Sequence, residues 1–225
     1  MPMSKQEIKK MVPKLRFPEF RDAGEWEEKS LVNLGQTLSG LSGKSGDDFG
    51  TGKPFVTYMQ VFSCAWIDFA KCAKVLIADN ENQNTLQRGD ILITTSSETP
   101  EEVGFASVLL DSPPEPLYLN SFCFAFRPDN LDMLIPEFSC YLFRSPIYRQ
   151  AIKPLAQGVT RYNISKGGFL KLRLPIPKGQ KEQQKIADCL SSIDDLISAQ
   201  SQKLDTLKAH KKGLMQQLFP NIEAL

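Results

Sequence analysis

The last part of the sequence constrains the fold most. Between Gln180 and Leu218 there is no proline and a single glycine, Gly213. Proline removes a helical hydrogen bond and clashes with the preceding turn, so a long stretch without it permits one unbroken helix. Apolar residues recur at Ile186, Leu190, Ile193, Ile197, Leu204, Leu207, Leu214 and Leu218. With Gln200 and Lys211 included, steps of four and three alternate throughout, which is a heptad register. The a positions are Leu190, Ile197, Leu204, Lys211 and Leu218; the d positions are Ile186, Ile193, Gln200, Leu207 and Leu214. The run predicts a helix roughly 50 Å long. Its apolar stripe is too narrow for a core helix and calls for another helix along its length. A helix folded back on its own domain is the competing reading. Against it, Asp194, Asp195, Gln202, Lys203, Asp205, Lys208 and Lys212 place solvated side chains round most of the circumference. Gln200 and Lys211 within the seam would cost stability and fix register and orientation.

Ahead of this helix the pattern changes. Short β-rich runs at 55–62, 73–78, 90–95, 103–110 and 121–126 are separated by turn signals such as Arg88-Gly89-Asp90 and Ser112-Pro113-Pro114. A glycine-rich stretch over 35–53 reads as a flexible loop. Residues 136–152 read as helical with a break at Ser145-Pro146. Leu170, Leu172, Leu174 and Ile176 alternate with Lys171, Arg173 and Pro175, predicting a half-buried strand with a basic outer face, stopped by Pro175-Ile176-Pro177. The fold class is therefore α+β: a globular mixed domain of short strands at 21–178, an N-terminal arm at 1–20, the long helix at 179–220 and a tail at 221–225. The first dozen residues read as a frayed helix or an arm.

Composition narrows the chemistry. Histidine occurs once, at His210, which nearly excludes a histidine-rich metal site or a Ser–His relay. Cys64, Cys72, Cys123, Cys140 and Cys189 are odd in number, widely spaced and without a CxxC pair. They fit free thiols in a reducing cytoplasm and no metal site. No apolar run suits a membrane span or a secretory leader. Gly40-Leu41-Ser42-Gly43-Lys44-Ser45 fails as a phosphate loop, because Leu38 stands where the first glycine is needed. No catalytic constellation is found.

The near-neutral total charge hides a separation. From Asp79 to Glu137 eleven acids face only Arg88 and Arg127. From Ser139 to Lys181 there is no acid, while Arg144, Arg149, Lys153, Arg161, Lys166, Lys171, Arg173, Lys178 and Lys181 supply nine positive charges. One reading is a face that binds a polyanion, most simply nucleic acid. The other is that these bases pair with the acidic segment across the fold.

One ordered series of segments resembles a known family. Gln157-Gly158-Val159-Thr160-Arg161-Tyr162-Asn163-Ile164-Ser165-Lys166 is followed by Leu170-Lys171-Leu172-Arg173-Leu174-Pro175-Ile176-Pro177, then Glu182-Gln183-Gln184-Lys185-Ile186-Ala187 and the helix. Pro13-Lys14-Leu15-Arg16-Phe17-Pro18-Glu19-Phe20 with Trp26, then Gly89-Asp90-Ile91-Leu92-Ile93, and the ending Leu214-Met215-Gln216-Gln217-Leu218-Phe219-Pro220 fit the same pattern. The order and spacing resemble the specificity (S) subunit of type I restriction-modification enzymes. Such subunits usually carry two target recognition domains, each followed by a helix. The helices pair as an antiparallel coiled coil and space the two domains on a gapped, bipartite DNA target. Methyltransferase (M) subunits dock on them and methylate adenine with S-adenosylmethionine; a restriction (R) subunit adds ATP- and Mg-dependent translocation and cleavage. This sequence has one domain and one helix, so it resembles a half subunit.

The resemblance implies a non-catalytic, cytoplasmic chain that binds no cofactor of its own and touches no membrane. Its partners would be double-stranded DNA, M and R subunits, and a second copy or a different half subunit paired through Ile186–Leu218. A regulatory half subunit that binds M subunits without directing methylation is the alternative. The DNA candidates are Gln157, Thr160, Arg161, Tyr162, Asn163 and Lys166, whose side chains suit guanine, adenine and phosphate. Lys171 and Arg173 would add sequence-independent attraction. Ile164 and Phe169 read as core anchors. Weaker candidates beside predicted strand ends are Lys44, Lys53, Thr57, Tyr58, Gln60, Ser96, Ser97 and Thr99.

Overall fold

The computed structural model describes residues 11–219. They form two units, the chain up to Gln184 and the chain from Lys185 onward. The arm's first ten residues and the predicted tail lie outside the described residues.

The first unit is built on a four-stranded antiparallel sheet. Its strands are β2 (Gly35–Ser39), β5 (Ile91–Thr94), β7 (Ala106–Val108) and β9 (Cys123–Pro128), ordered β2-β9-β5-β7. β5 is buried at every position because both faces are covered, which explains its continuous apolar run. On one face Leu92 and Ala125 join Val56, Val61, Leu109, Leu117 and Leu119. Strand alternation sends Phe124 and Phe126 to the opposite face. There Phe169 meets Phe124 and Phe126 with ring centroids 5.2 and 5.6 Å apart. Phe143 packs on Tyr148 at 5.2 Å and completes this aromatic layer. Asp90, fully buried, is forked by Arg127 at 2.8 and 2.6 Å, tying β5 to its neighbour β9.

A second sheet holds β3 (Phe49–Val56) between β4 (Ala73–Val75), antiparallel to it, and β8 (Tyr118–Leu119), parallel to it. Gly52 sits at the irregularity in the β3–β4 pairing with φ +98°, and a Cβ there would lie 2.5 Å from the Val75 carbonyl oxygen. The predicted loop over 35–53 is thus largely β2 and β3. The predicted strand over 55–62 ends early: Thr57 accepts a hydrogen bond from the Gln60 amide and starts α1 (Tyr58–Ser63). The break at Ser145-Pro146 separates α2 (Pro136–Leu142) from α3 (Pro146–Ile152), with Ser145 capping α3. The predicted strand near 170–176 is shorter than its alternation. Ser165 caps α4 (Lys166–Leu170), and β11 covers only Arg173–Ile176. No helix among the described residues is long and apolar enough to cross a membrane.

The two ends of the unit meet. β1 (Glu27–Ser30) pairs antiparallel with β11, Glu27 opposite Ile176 and Ser30 opposite Arg173. Directly after β11 begins α5 (Gln180–Leu218), whose first turn is tied down by side chains. Glu182 accepts two hydrogen bonds from Arg16, both at 2.7 Å, and one from the Trp26 indole at 3.0 Å. Arg16 also donates to the Gly24 carbonyl. Next in sequence, buried Gln183 accepts from the Ile135 amide and donates to the Met133 and Pro177 carbonyls. Glu182→Gln leaves the Arg16 guanidinium without its counter-charge in a site where each side chain is over nine-tenths buried. The variant is expected to lose about 3 kcal/mol of unfolding free energy in urea titrations. A loss below about 1 kcal/mol would mean that this ion pair is not what holds the two ends together.

Candidate nucleic-acid interface

The candidate loop is a short hairpin. Gln157 and Asn163 exchange both backbone hydrogen bonds, at 3.0 and 2.8 Å. Gly158 has φ +142°, and a Cβ there would come within 2.0 Å of the Arg161 carbonyl oxygen, so the hairpin closes only around glycine. Val159, at the tip, is 90% exposed. The second arm, β10 (Tyr162–Asn163), pairs with β6 (Ser96–Ser97), Tyr162 opposite Ser97 and Asn163 opposite Ser96. Beyond it, the Ile164 amide donates to the Thr95 carbonyl, and Ile164 and Phe169 are buried. These two residues anchor the hairpin to the core, as their sequence context suggests.

Pairing β10 with β6 assembles an open cleft of roughly 350 Å³. It brings together Arg161, Tyr58, Ser96 and Ser97, which are up to 103 positions apart in sequence. Met59, Phe62, Phe122, Glu98 and Glu102 complete its lining. Tyr58 donates from its phenol to the Ser96 carbonyl at 2.7 Å, and burial pushes that phenol's pKa up. Ser97 Oγ donates to Glu102 at 3.2 Å, and the Thr99 amide donates back to Ser97 Oγ. Met59 and Phe122 are more than half exposed at the rim.

The basic run divides by role. Arg144 spends its guanidinium on the carbonyls of Val61, Phe62, Cys64 and Ala106, closing the C-terminal end of α1. Arg149 donates to the carbonyls of Glu101 and Val103 and stacks 4.4 Å over the Phe105 ring. Both arginines reach into the acidic segment, but onto backbone oxygens and not carboxylates. Among the described residues, the run's ion pair is that of Arg173 with Glu28. Cross-fold pairing with the acids from Asp79 to Glu137 is not formed.

Other candidates are dispersed. Lys166 donates to Ser39 Oγ, Asn163 bonds the Arg161 carbonyl, and Gln157, Thr160 and Lys171 are exposed. Lys53 lies 3.5 Å from Glu115. Gln60 is turned inward: its amide donates to the Asp68 carbonyl and its side chain is buried, so it offers nothing to a groove. Thr57 is spent as the cap of α1. Lys44 is nearly buried against Glu81, far from the exposed phosphate contact expected of it. Glu98 and Glu102 were missed by sequence reasoning, because charge arithmetic placed them in the acidic segment and nothing local links them to Arg161.

The second unit carries the heptad seam. Ile186 and Leu190 are half-buried, whereas Ile193, Ile197, Leu204, Leu207, Leu214 and Leu218 are between 42 and 74% exposed. Leu196 and Met215 widen the exposed apolar stripe. Gln200 and Lys211 are exposed within it.

The fold is that of the specificity subunits of type I restriction-modification systems. The S subunit from M. genitalium superposes with a TM-score of 0.62 at 16% identity, over 93% of this chain and 49% of that one. The HsdS subunit from Thermoanaerobacter tengcongensis gives 0.52 at 17% identity, over 85% of this chain and 41% of that one. In sequence, the chain belongs to the type I restriction modification DNA specificity domain family, whose sequence model matches residues 24–209. Among curated relatives, the putative MjaX specificity subunit of Methanocaldococcus jannaschii is 28% identical over 199 residues, covering 87% of this chain and 45% of the relative. The MjaIX specificity subunit of the same organism is 24% identical over 204 residues, 88% of this chain and 45% of the relative. The chain therefore spans about half the length of the curated relatives it matches.

Hydrogen bonds from Lys44, Gln83 and the Ala78 amide hold the Glu81 carboxyl down to about 2, from an ordinary 4.5. Because its folded pKa is depressed, Glu81 contributes stability above about pH 4.5 that is lost as pH falls toward 2. Glu81→Gln is expected to flatten the fall of stability across that window in acid titrations of the folded chain. An unaltered acid limb would show that the Lys44–Glu81 contact does not govern it.

Proposed function

We propose that this chain is the DNA-recognition component of a type I restriction-modification assembly and reads one half of a bipartite duplex target through the hairpin and cleft. Family membership supports recognition as its role. The hairpin supports the site, since Arg161 stands next to the β6–β10 ladder and makes no ion pair among the described residues. The chain acts without catalysis of its own. In this reading S-adenosylmethionine and ATP with Mg belong to the M and R subunits, for which the α5 region serves as scaffold.

The observation that carries the reading is the exposed seam of α5. A second helix covering it supplies what the isolated chain lacks. In a parallel pair Lys211 would face its own copy. In an antiparallel pair of two copies, centred near Gln202, every a position faces a d position: Leu190 opposite Leu214, Ile197 opposite Leu207, Leu204 opposite Gln200, Lys211 opposite Ile193, Leu218 opposite Ile186. The two lysines are then kept apart, and Asp194 falls beside Lys208 of the other helix. A symmetric pair sets one recognition unit at each end, as dimeric readers of inverted half-sites require. A different half subunit with a matching seam could take the same place.

Leu204→Asp, which buries a carboxylate at the centre of that pair, is expected to leave monomers in sedimentation velocity at concentrations where the parent chain dimerises. A persisting dimer would move the interface elsewhere. Arg161→Ala is expected to weaken duplex binding roughly tenfold with no change in melting temperature, because this side chain bonds nothing among the described residues. The decisive experiment is modified-base sequencing of DNA from cells carrying this chain and its M subunit as the sole specificity source. A gapped motif with two inverted, matching halves supports the homodimer. A stable complex that methylates nothing would favour the regulatory alternative.

A further inference from the structure

The cleft holds two opposite chemistries that do not cancel. Arg161 and the carboxylates of Glu98 and Glu102 line the same space, yet no ion pair joins them. Carboxylates repel a phosphate backbone, so this is not a cradle for phosphate. What accommodates a guanidinium fork and a carboxylate side by side is the edge of a base pair. In the major groove guanine presents two acceptors, O6 and N7, and cytosine presents the N4 amino donor.

The geometry favours Glu102 as the acceptor. Ser97 Oγ fixes one of its oxygens and leaves the other without a partner among the described residues. Ser97 in turn is the ladder partner of Tyr162, the residue next to Arg161. Acceptor and donor are therefore held by a single pair of short strands. The wall behind them carries a further sign of an occupant: Ser96 is 8% exposed, lines the cleft and has a hydroxyl with no hydrogen-bond partner. Exposed Met59 and Phe122 at the rim add an apolar surface for the pyrimidine edge.

We infer that the cleft is the specificity-determining pocket of the recognition unit and selects a C·G base pair, Arg161 donating to guanine and Glu102 accepting from the cytosine N4 amino group. This rests on the DNA-recognition reading above. Glu102 would then be a base-reading residue within the charge block of the wrong sign for DNA, contributing selectivity and no attraction.

The test is selection of bound molecules from a randomised 30-base-pair duplex pool by the full-length chain at low salt, followed by sequencing. The parent chain is expected to enrich a motif containing a C·G pair. Glu102→Gln is expected to lose tenfold or more of the cytosine preference at one position, shifting it toward adenine, which glutamine can bond in bidentate fashion, and to keep the other positions. Lys74→Ala, a change at an exposed cation on β4 and outside the cleft, is expected to leave the motif intact. An enriched motif that Glu102→Gln does not alter, or one without a C·G pair, overturns the inference and leaves DNA recognition standing. No enrichment with the parent chain overturns both.

Discussion

The carboxylate of Glu182 is the contact on which the closure of the first unit depends. It lies in the first turn of α5, where the helix N-terminus favours negative charge. There it gathers Arg16 from the arm and the Trp26 indole from the segment leading into β1. Gln183 beside it binds the loop before α2 and the end of β11. Two consecutive polar residues thus bring three distant parts of the chain to one helix start. A buried ion pair adds little net stability, but removing one member strands the other. The arrangement therefore specifies where α5 begins more than it adds to the total stability.

The two units follow different logic. The first is held by layers: an aromatic face around Phe169 on one side of the main sheet and an aliphatic face around Leu92 on the other. Its hairpin and cleft are held by much less, a two-residue ladder and a glycine. That division is common, with rigid scaffold below and a variable, sparsely bonded surface above. The second unit has almost no interior, and its apolar stripe is exposed among the described residues.

Much of this was legible in the sequence, for reasons that differ by region. α5 was readable because proline is absent and the heptad is long, and the α2–α3 break because Ser145-Pro146 both ends one helix and caps the next. The failures have local causes. Thr57 turned the predicted strand over 55–62 into strand and helix, since a cap outweighs the β preference of Tyr58, Val61 and Phe62. Ser165 did the same before Leu170. Glycines at 35–53 suggested a loop, but Gly35 and Gly52 are there because a neighbouring strand's carbonyl leaves no room for a Cβ. For the site, the hairpin was legible as a segment, and its anchors Ile164 and Phe169 were too. Lys44 and Gln60 were misplaced because partners at Glu81 and Asp68 are invisible to local reading. Glu102 was not a candidate, because it comes to share a cleft with Arg161 only after β6 and β10 pair.

The β1–β11 ladder carries a consequence for how such a molecule can change. The chain enters and leaves the recognition unit through strands that lie side by side. A segment whose ends are neighbours can be exchanged whole, because the joint sees only two strand ends and not what lies between them. Recombination within those two strands would transplant hairpin, cleft and sheet together. Arg16, Trp26 and Glu182 lie outside the exchanged segment, so a foreign insert would need to restore only the contact that the Met133–Ile135 loop makes with Gln183. The unit is in that sense a replaceable cassette.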